Sequence, residues 1–480
     1  MPLVWELTSE ITYWLTADKI RSLNAGWRTQ AGGYSDRVID DFVGMLNRPS
    51  IHYEALLGHL EVQFRRQRDA QSAQEYHGLY SWLVELVSHL LYYRQVNNSN
   101  FLKNALPYYD GIKALADANA PLWIFTLNHD LIVELIAARL SIPIHSGFSD
   151  TIVNFPRRNL RGKIVGHIRG EMLTEEVLEK HAPYFPNPPK PGIYLLKVHG
   201  ALDVFACNEG KDLVRLLPSA PTEEAIIDML RGANEGLFYP ISGSLGGKAK
   251  ATNEIAYADE QGVMQFLRRS LLAGAFKFDP HRQQVLPKSM LKHFKQNINF
   301  VTKLVCIGYG FGDIHINSII REWLELTADR RLEIVTPLDQ QLPSFLLHLA
   351  PQITIIRRTA TDYLDSIAGI ERPLRDKLSK RIGARIRSLG QRRAAEKMTS
   401  FKQKNGERLA YALAERINGL PLVDSKPDPA AIADPKELGK KWAAELKSTD
   451  EQLFERLLQH LDEQEVKEDP SLPYDYARDW

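Results

Sequence analysis

The chain has 480 residues, 44% of them hydrophobic, enough to bury a substantial core spread over two or three domains. Its 60 Lys and Arg balance 59 Asp and Glu, so no bulk field of one sign is available to hold nucleic acid or an acidic membrane, and any such binding must be local. Cys207 and Cys306 are the two cysteines; they exclude a disulfide framework and a Cys-x-x-Cys metal knuckle, and they fit a reducing, cytoplasmic setting. No apolar stretch approaches the roughly 20 residues of a membrane helix, and Met1-Pro2 leads into Trp5 and Glu6 without a signal peptide, so the protein is expected to stay inside the cell with no membrane partner.

From Leu3 to about Ala118 the pattern is helical, with Leu79, Trp82, Leu83, Leu86, Val87, Leu90 and Leu91 recurring near the 3.6-residue period. A helical lobe is therefore expected at about residues 10–118. The first buried-strand signal is Pro121 to Thr126, which runs into Leu127-Asn128-His129-Asp130 and an apolar helix from Leu131 to Leu140. Ile193 to Val198 is a second such strand, ending at His199-Gly200. Lys303 to Ile307 is a third, ending at Gly308-Tyr309-Gly310-Phe311-Gly312-Asp313, and Leu332–Val335 and Ile353–Ile356 are further candidates. Strands alternating with helices predict an α/β fold with a mostly parallel, Rossmann-like sheet and a ligand crevice at the carboxyl ends of its strands. All three polar clusters fall at such ends.

After Pro373 a basic helical stretch, Lys377 to Arg393, gives way to a Pro/Asp/Ala linker at Ser425 to Asp434, and then to Phe454, Leu457, Leu458 and Leu461 at i, i+3, i+4, i+7 spacing. The expected organisation is one domain over residues 1–394, carrying the lobe, and a small helical C-terminal appendage over 395–480. The C-terminal stripe is expected to dock on its own chain or on a neighbour.

Taken singly, each polar cluster has an ordinary explanation. Asn128 suits a turn, His199 a hydrogen-bonded strand end, the glycines a turn into a helix, and Asp313 the cap of a helix starting near Ile314. Ser242 to Ala249 imitates a phosphate loop, but Ser242 replaces its first glycine and Ala249 its hydroxyl, so a loop is expected. Arg157, Arg158, Arg161 and Lys163 could grip phosphate or a partner's acidic face, though a solvated loop is the more economical reading, and His145 reads as a core or loop histidine. The basic stretch from Lys377 is open to two readings, nucleic-acid binding or a solvated helix face.

Together, strand-Thr-Leu-Asn-His-Asp, strand-Lys-Val-His-Gly and strand-Gly-Tyr-Gly-Phe-Gly-Asp-Ile-His-Ile-Asn resemble the sirtuin-like NAD-hydrolysing domains of bacterial anti-phage defence systems, over about Pro2 to Thr361. The resemblance implies hydrolysis of NAD, as substrate, at its nicotinamide-ribose bond, depleting NAD in abortive infection. Asn128 would contact the ribose and orient the attacking water, and His199 would be the general base. Thr126, Asp130, Gly308, Tyr309, Gly310, Asp313 and His315 would bind the dinucleotide, with no metal required. An amide suits the first task because it donates and accepts hydrogen bonds without charge. An imidazole suits the second because its pKa of about 6.5 leaves it ready to take a proton near neutral pH. The four-cysteine zinc module of deacetylating sirtuins cannot be built from two cysteines.

The same resemblance implies a homo-oligomer and control by a partner such as a hexameric ATPase. Two departures stand out: the 480 residues contain no Gly-Ala-Gly-x-Ser phosphate loop, Met1 to Thr8 reading as the helix that follows it with Pro2 in its first turn, and Gly310 stands where the family often has serine. Poor NAD binding by the 480-residue chain is expected from the first. The alternative function is a catalytically weak sirtuin-like scaffold that binds a partner protein or nucleic acid.

Overall fold

The structure, a computed structural model, describes residues 4–29, 32–149, 151–159, 161–180, 183–241, 248–271, 289–339, 341–377 and 380. Ser242 to Gly247 of the glycine-rich loop, most of the basic run from Lys377 to Arg393, the linker and the appendage with Phe454, Leu457, Leu458 and Leu461 lie outside the described residues. The chain falls into two compact units, one of residues 4–56 together with the described residues after 370, the other of residues 57–370.

The smaller unit is helical, with α1 (Val4–Trp14), α2 (Ala17–Thr29) and α3 (Asp36–Leu46). Val38, Ile39, Phe42, Val43 and Leu46 are buried along one side of α3, the stripe that a helix must hide in a core. The buried Asn24 satisfies its own amide by donating to the Tyr34 carbonyl at 3.0 Å and accepting from the Tyr34 N–H at 2.8 Å.

The larger unit begins within α4 (Tyr53–Arg66) and continues as α5 (Ala70–Asn97), α6 (Ser99–Ala105) and α7 (Ile112–Ala118). Asp69 caps α5 by accepting from the Ser72 N–H. Leu79, Leu83, Val87 and Leu91 are fully enclosed, whereas Trp82, Leu86 and Leu90 are half-buried, so α5 is covered over much of its girth and not along one stripe.

In chain order there follow β1 (Leu122–Thr126), α8 (Ile132–Arg139), β2 (Ile144–His145), β3 (Ile152–Arg158), β4 (Ile164–Leu173), α9 (Glu175–Glu179), β5 (Ile193–Lys197), β6 (Val204–Cys207) and β7 (Asp212–Leu217). The unit then runs through α10 (Glu223–Gly236), β8 (Glu254–Ala258), β9 (Met264–Arg269), α11 (Ser289–Asn297), β10 (Lys303–Ile307), α12 (Ile314–Glu325), β11 (Arg331–Thr336), β12 (Ile353–Arg357) and α13 (Ala360–Ala368).

The strands form three sheets. Two are parallel and three-stranded, with orders β1-β5-β2 and β10-β11-β12; the third is six-stranded and antiparallel, in the order β3-β4-β7-β6-β9-β8. The five strands expected from buried runs are present, and the fold is mixed α/β with parallel sheets. The antiparallel sheet, built from the segment between Ile152 and Arg269, was not expected, and no strand pairing among the described residues joins the two parallel sheets. β5 is buried along its whole length, while β1 and β10, each at an edge of its sheet, are half-exposed over much of theirs. The main core of this unit gathers Leu196 and Val198 with Phe294, Cys306, Ile316, Ile320, Trp323 and Leu332, so it lies directly under the loops that end β5 and β10. No helix among the described residues is long and apolar enough to cross a membrane.

Candidate functional site

The register of β1 against β5 sets the level of the first two polar clusters. Leu122 lies opposite Ile193 and Thr126 opposite Lys197, so Asn128 and His199 each stand two residues beyond the last matched pair. The ladder continues past the strands: the Val198 N–H donates to the Thr126 carbonyl at 3.0 Å, and the Leu202 N–H donates to the His129 carbonyl at 2.9 Å. His129 Nδ1 lies 3.4 Å from the Gly200 carbonyl, and the rings of His129 and His199 are 6.5 Å apart. Two loops distant in sequence are thus stitched into one surface.

Within the first loop the Thr126 hydroxyl accepts from the Asn128 N–H at 3.1 Å, a short side-chain turn that turns Asn128 into solvent, where its amide is exposed. Asp130 is buried and turned away from solvent. Its carboxylate accepts from the Ile132 N–H at 3.0 Å at the start of α8, and its carbonyl accepts from the Lys197 ammonium at 2.6 Å. It therefore shapes the loop that displays Asn128.

His199 is only 4% exposed. Its Nε2 lies 3.2 Å from Asp313 Oδ2, which brings the second cluster to the third. In the third cluster, Gly308 and Phe311 take left-handed backbone angles, φ 68° and 55°. Gly308, Gly310 and Gly312 have no neighbouring atom within 4 Å of where a Cβ would stand, so the loop is open at these three positions. Its shape is held by polar ties: the Tyr309 hydroxyl donates to the Asp313 carbonyl or to Asn317 Oδ1 (3.1 and 2.8 Å), and the Asn317 amide donates to the Phe311 carbonyl at 2.8 Å. Burial pushes the Tyr309 pKa up, with the Asp313 charge adding to it, so the phenol stays protonated. Asp313 Oδ1 caps α12 by accepting from the N–H groups of His315 (3.0 Å) and Ile316 (3.3 Å). His315 thus enters the site through its backbone at this cap.

Beneath the loops lies a buried charge network whose key member, Lys197, has a sequence signal that went unused: a lysine closing an otherwise apolar strand run. Its ammonium lies 2.7 Å from Glu134 Oε1 and 3.9 Å from Asp203 Oδ1, and Arg215 Nε lies 3.3 Å from Asp203 Oδ2. Burial raises the Glu134 pKa, while the Lys197 charge pulls it back. A cavity beside Glu134, Lys197, Gly200 and Arg215 measures about 20 Å³, room for about one water molecule.

Two members of the basic cluster, Arg157 and Arg158, lie in β3 and are tied into the fold. Arg157 packs against Gly232 and Gly236 of α10, and Arg158 donates to the carbonyls of Gly162 and Asp259. Among the described residues no group of three or more His, Cys, Asp or Glu is arranged to hold a metal ion. No protein-family model matches the chain, and no curated protein matches it in sequence.

Proposed function

We propose that this chain is a sirtuin-like NAD hydrolase, with its two parallel sheets acting as the halves of a Rossmann-like frame. The observation that carries the reading is the convergence of the three polar clusters. Asn128 and His199 stand at one level through the β1–β5 register, and Asp313 reaches His199 from the end of β10. In such a frame, ligands bind at the carboxyl ends of parallel strands.

The reaction breaks the bond between nicotinamide N1 and ribose C1′. Nicotinamide leaves with the bonding electron pair, water supplies the oxygen that bonds to C1′, and the water's proton passes to His199 before release to solvent. The products are nicotinamide, ADP-ribose and one proton. Because the leaving group is neutral once departed, little nucleophilic power is needed, and the work of the protein is to position the ribose and the water. Asn128, exposed and fixed at its backbone by Thr126, is the positioning amide. The use proposed is depletion of NAD during phage infection, in the cytoplasm, by a homo-oligomer under the control of a partner such as a hexameric ATPase.

A second reading, a catalytically weak scaffold for a partner protein or nucleic acid, is favoured by one observation. The Ile132 N–H of α8 is taken by Asp130 and the His315 and Ile316 N–H groups of α12 by Asp313, so these amides are not offered to a pyrophosphate. Incubation of the full chain with NAD, with released nicotinamide quantified by chromatography, separates the two. Asn128→Ala and His199→Ala are expected to lower the rate by roughly 10²- to 10⁴-fold without loss of folding. Near-parental hydrolysis by an active assembly carrying His199→Ala refutes the catalytic assignment.

A further inference from the structure

The contact between His199 and Asp313 carries a role for Asp313 that is separate from binding the dinucleotide, and it rests on the reading that His199 takes up the proton. The two carboxylate oxygens of Asp313 do different things. Oδ1 accepts two backbone N–H groups at the head of α12, and Oδ2 lies 3.2 Å from His199 Nε2. Both side chains are withdrawn from water, at 5% exposed for His199 and 12% for Asp313, so their attraction is little screened. The ring of His129, from the loop after β1, has its centre 6.5 Å from that of the imidazole.

We propose that Asp313 is the positioning residue for His199: its charge, 3.2 Å from Nε2, holds the imidazole in one orientation and stabilises the imidazolium formed when the water's proton is taken. The rigidity comes from the helix. Ile316, Ile319, Ile320, Trp323 and Leu324 bury α12 in the core, the cap fixes Asp313 to its first turn, and the free rotation an imidazole would have at a strand end is removed. A carboxylate in this position aligns the base and offsets its developing charge without itself accepting the proton.

The competing account is that Asp313 is only a helix cap. Asn caps a helix as well as Asp does. Asp313→Asn therefore preserves the bonds to His315 and Ile316 while removing the charge beside His199 and presenting an amide to it. Three readouts are taken on the full chain: the thermal midpoint, kcat and KM for NAD from about pH 5 to 9, and the ring resonance of His199 followed by NMR and identified by its loss in His199→Gln.

The expected result for Asp313→Asn is an unchanged melting temperature, a kcat lower by roughly 10²- to 10⁴-fold with KM little altered, and a His199 titration displaced to lower pH. Parental kcat with a parental His199 titration overturns the proposal. So does loss of activity that simply tracks loss of folding while the resonance of the folded fraction is unchanged. If no variant, parent included, releases nicotinamide, the resonance alone decides: a displaced titration upholds the pairing while the hydrolase reading fails, and an unmoved one overturns the pairing as well.

Discussion

Replacing Lys197 by methionine keeps the length of the side chain and removes its charge from the centre of the buried network. The side chain is 8% exposed, and its ammonium serves the Asp130 carbonyl at 2.6 Å, Glu134 at 2.7 Å and Asp203 at 3.9 Å. Its loss leaves Asp203 with Arg215 and leaves Glu134 without its cation. Removing one partner of a buried ion pair destabilises by roughly 3–5 kcal/mol. Glu134, whose pKa burial already raises, can take up a proton and relieve part of this, which places the expectation near the lower figure.

Thermal unfolding should then shift by on the order of 10 °C, with the urea slope unchanged. Lys197→Met combined with Glu134→Leu should recover most of the loss, because the two unbalanced groups disappear together. A single variant within about 1 kcal/mol of the parent, or a double variant as unstable as the sum of its parts, refutes the charge-network account.

Two further outcomes follow from the larger unit. Burial, with the Arg269 charge behind it, lowers the His89 pKa from 6.5 to about 4, so the unfolded chain binds that proton more readily; the stability His89 contributes is present above about pH 6.5 and is lost as pH falls towards 4. His89→Phe should flatten the stability profile between those limits in urea titrations at stepped pH, and an unchanged slope contradicts the assignment. At Gly111, beside α13, an added Cβ would stand 2.3 Å from the Leu364 carbonyl oxygen, so Gly111→Ala is expected to destabilise by about 1–3 kcal/mol, and a variant within about 0.5 kcal/mol of the parent shows that the two segments part freely.

The parallel strands were legible because each is a short apolar run closed by a polar cluster, and hydrophobic periodicity reports that directly. Residues 152–269 were not, because their strands mix the signals. In β4 exposed and more buried positions alternate from Ile164 to Gly170 and then lose the alternation over Glu171-Met172-Leu173, and β3 ends in a register shift between Arg157 and Arg158. The pairing of such strands is set by long-range partners, which no local window contains.

At the site, Asn128 and His199 were singled out by residue type and by their place after strands. Asp130 and Asp313 were assigned to the dinucleotide through the resemblance. Their geometry adds a local use: Asp313 caps α12, as foreseen, and Asp130 holds the Ile132 N–H at the start of α8. The contact of Asp313 with His199 spans 114 residues of chain and has no local signature; only the folded arrangement of β5 against α12 brings it about.

The edge positions of β1 and β10 have a consequence for the behaviour of the chain in solution. In β1 the Leu122 N–H turns towards β5, where the Gly192 carbonyl accepts it, so by alternation the N–H groups of Trp123 and Phe125 face away from the sheet. Such a border is a template on which another extended chain can align. On β10 the exposed Lys303 supplies the charge that discourages stray pairing. Leu122-Trp123-Ile124-Phe125-Thr126 carries no charge and is rich in aromatic and branched residues, the composition that favours stacking of extended segments. Adhesion between copies of this protein through extended segments should therefore begin at β1.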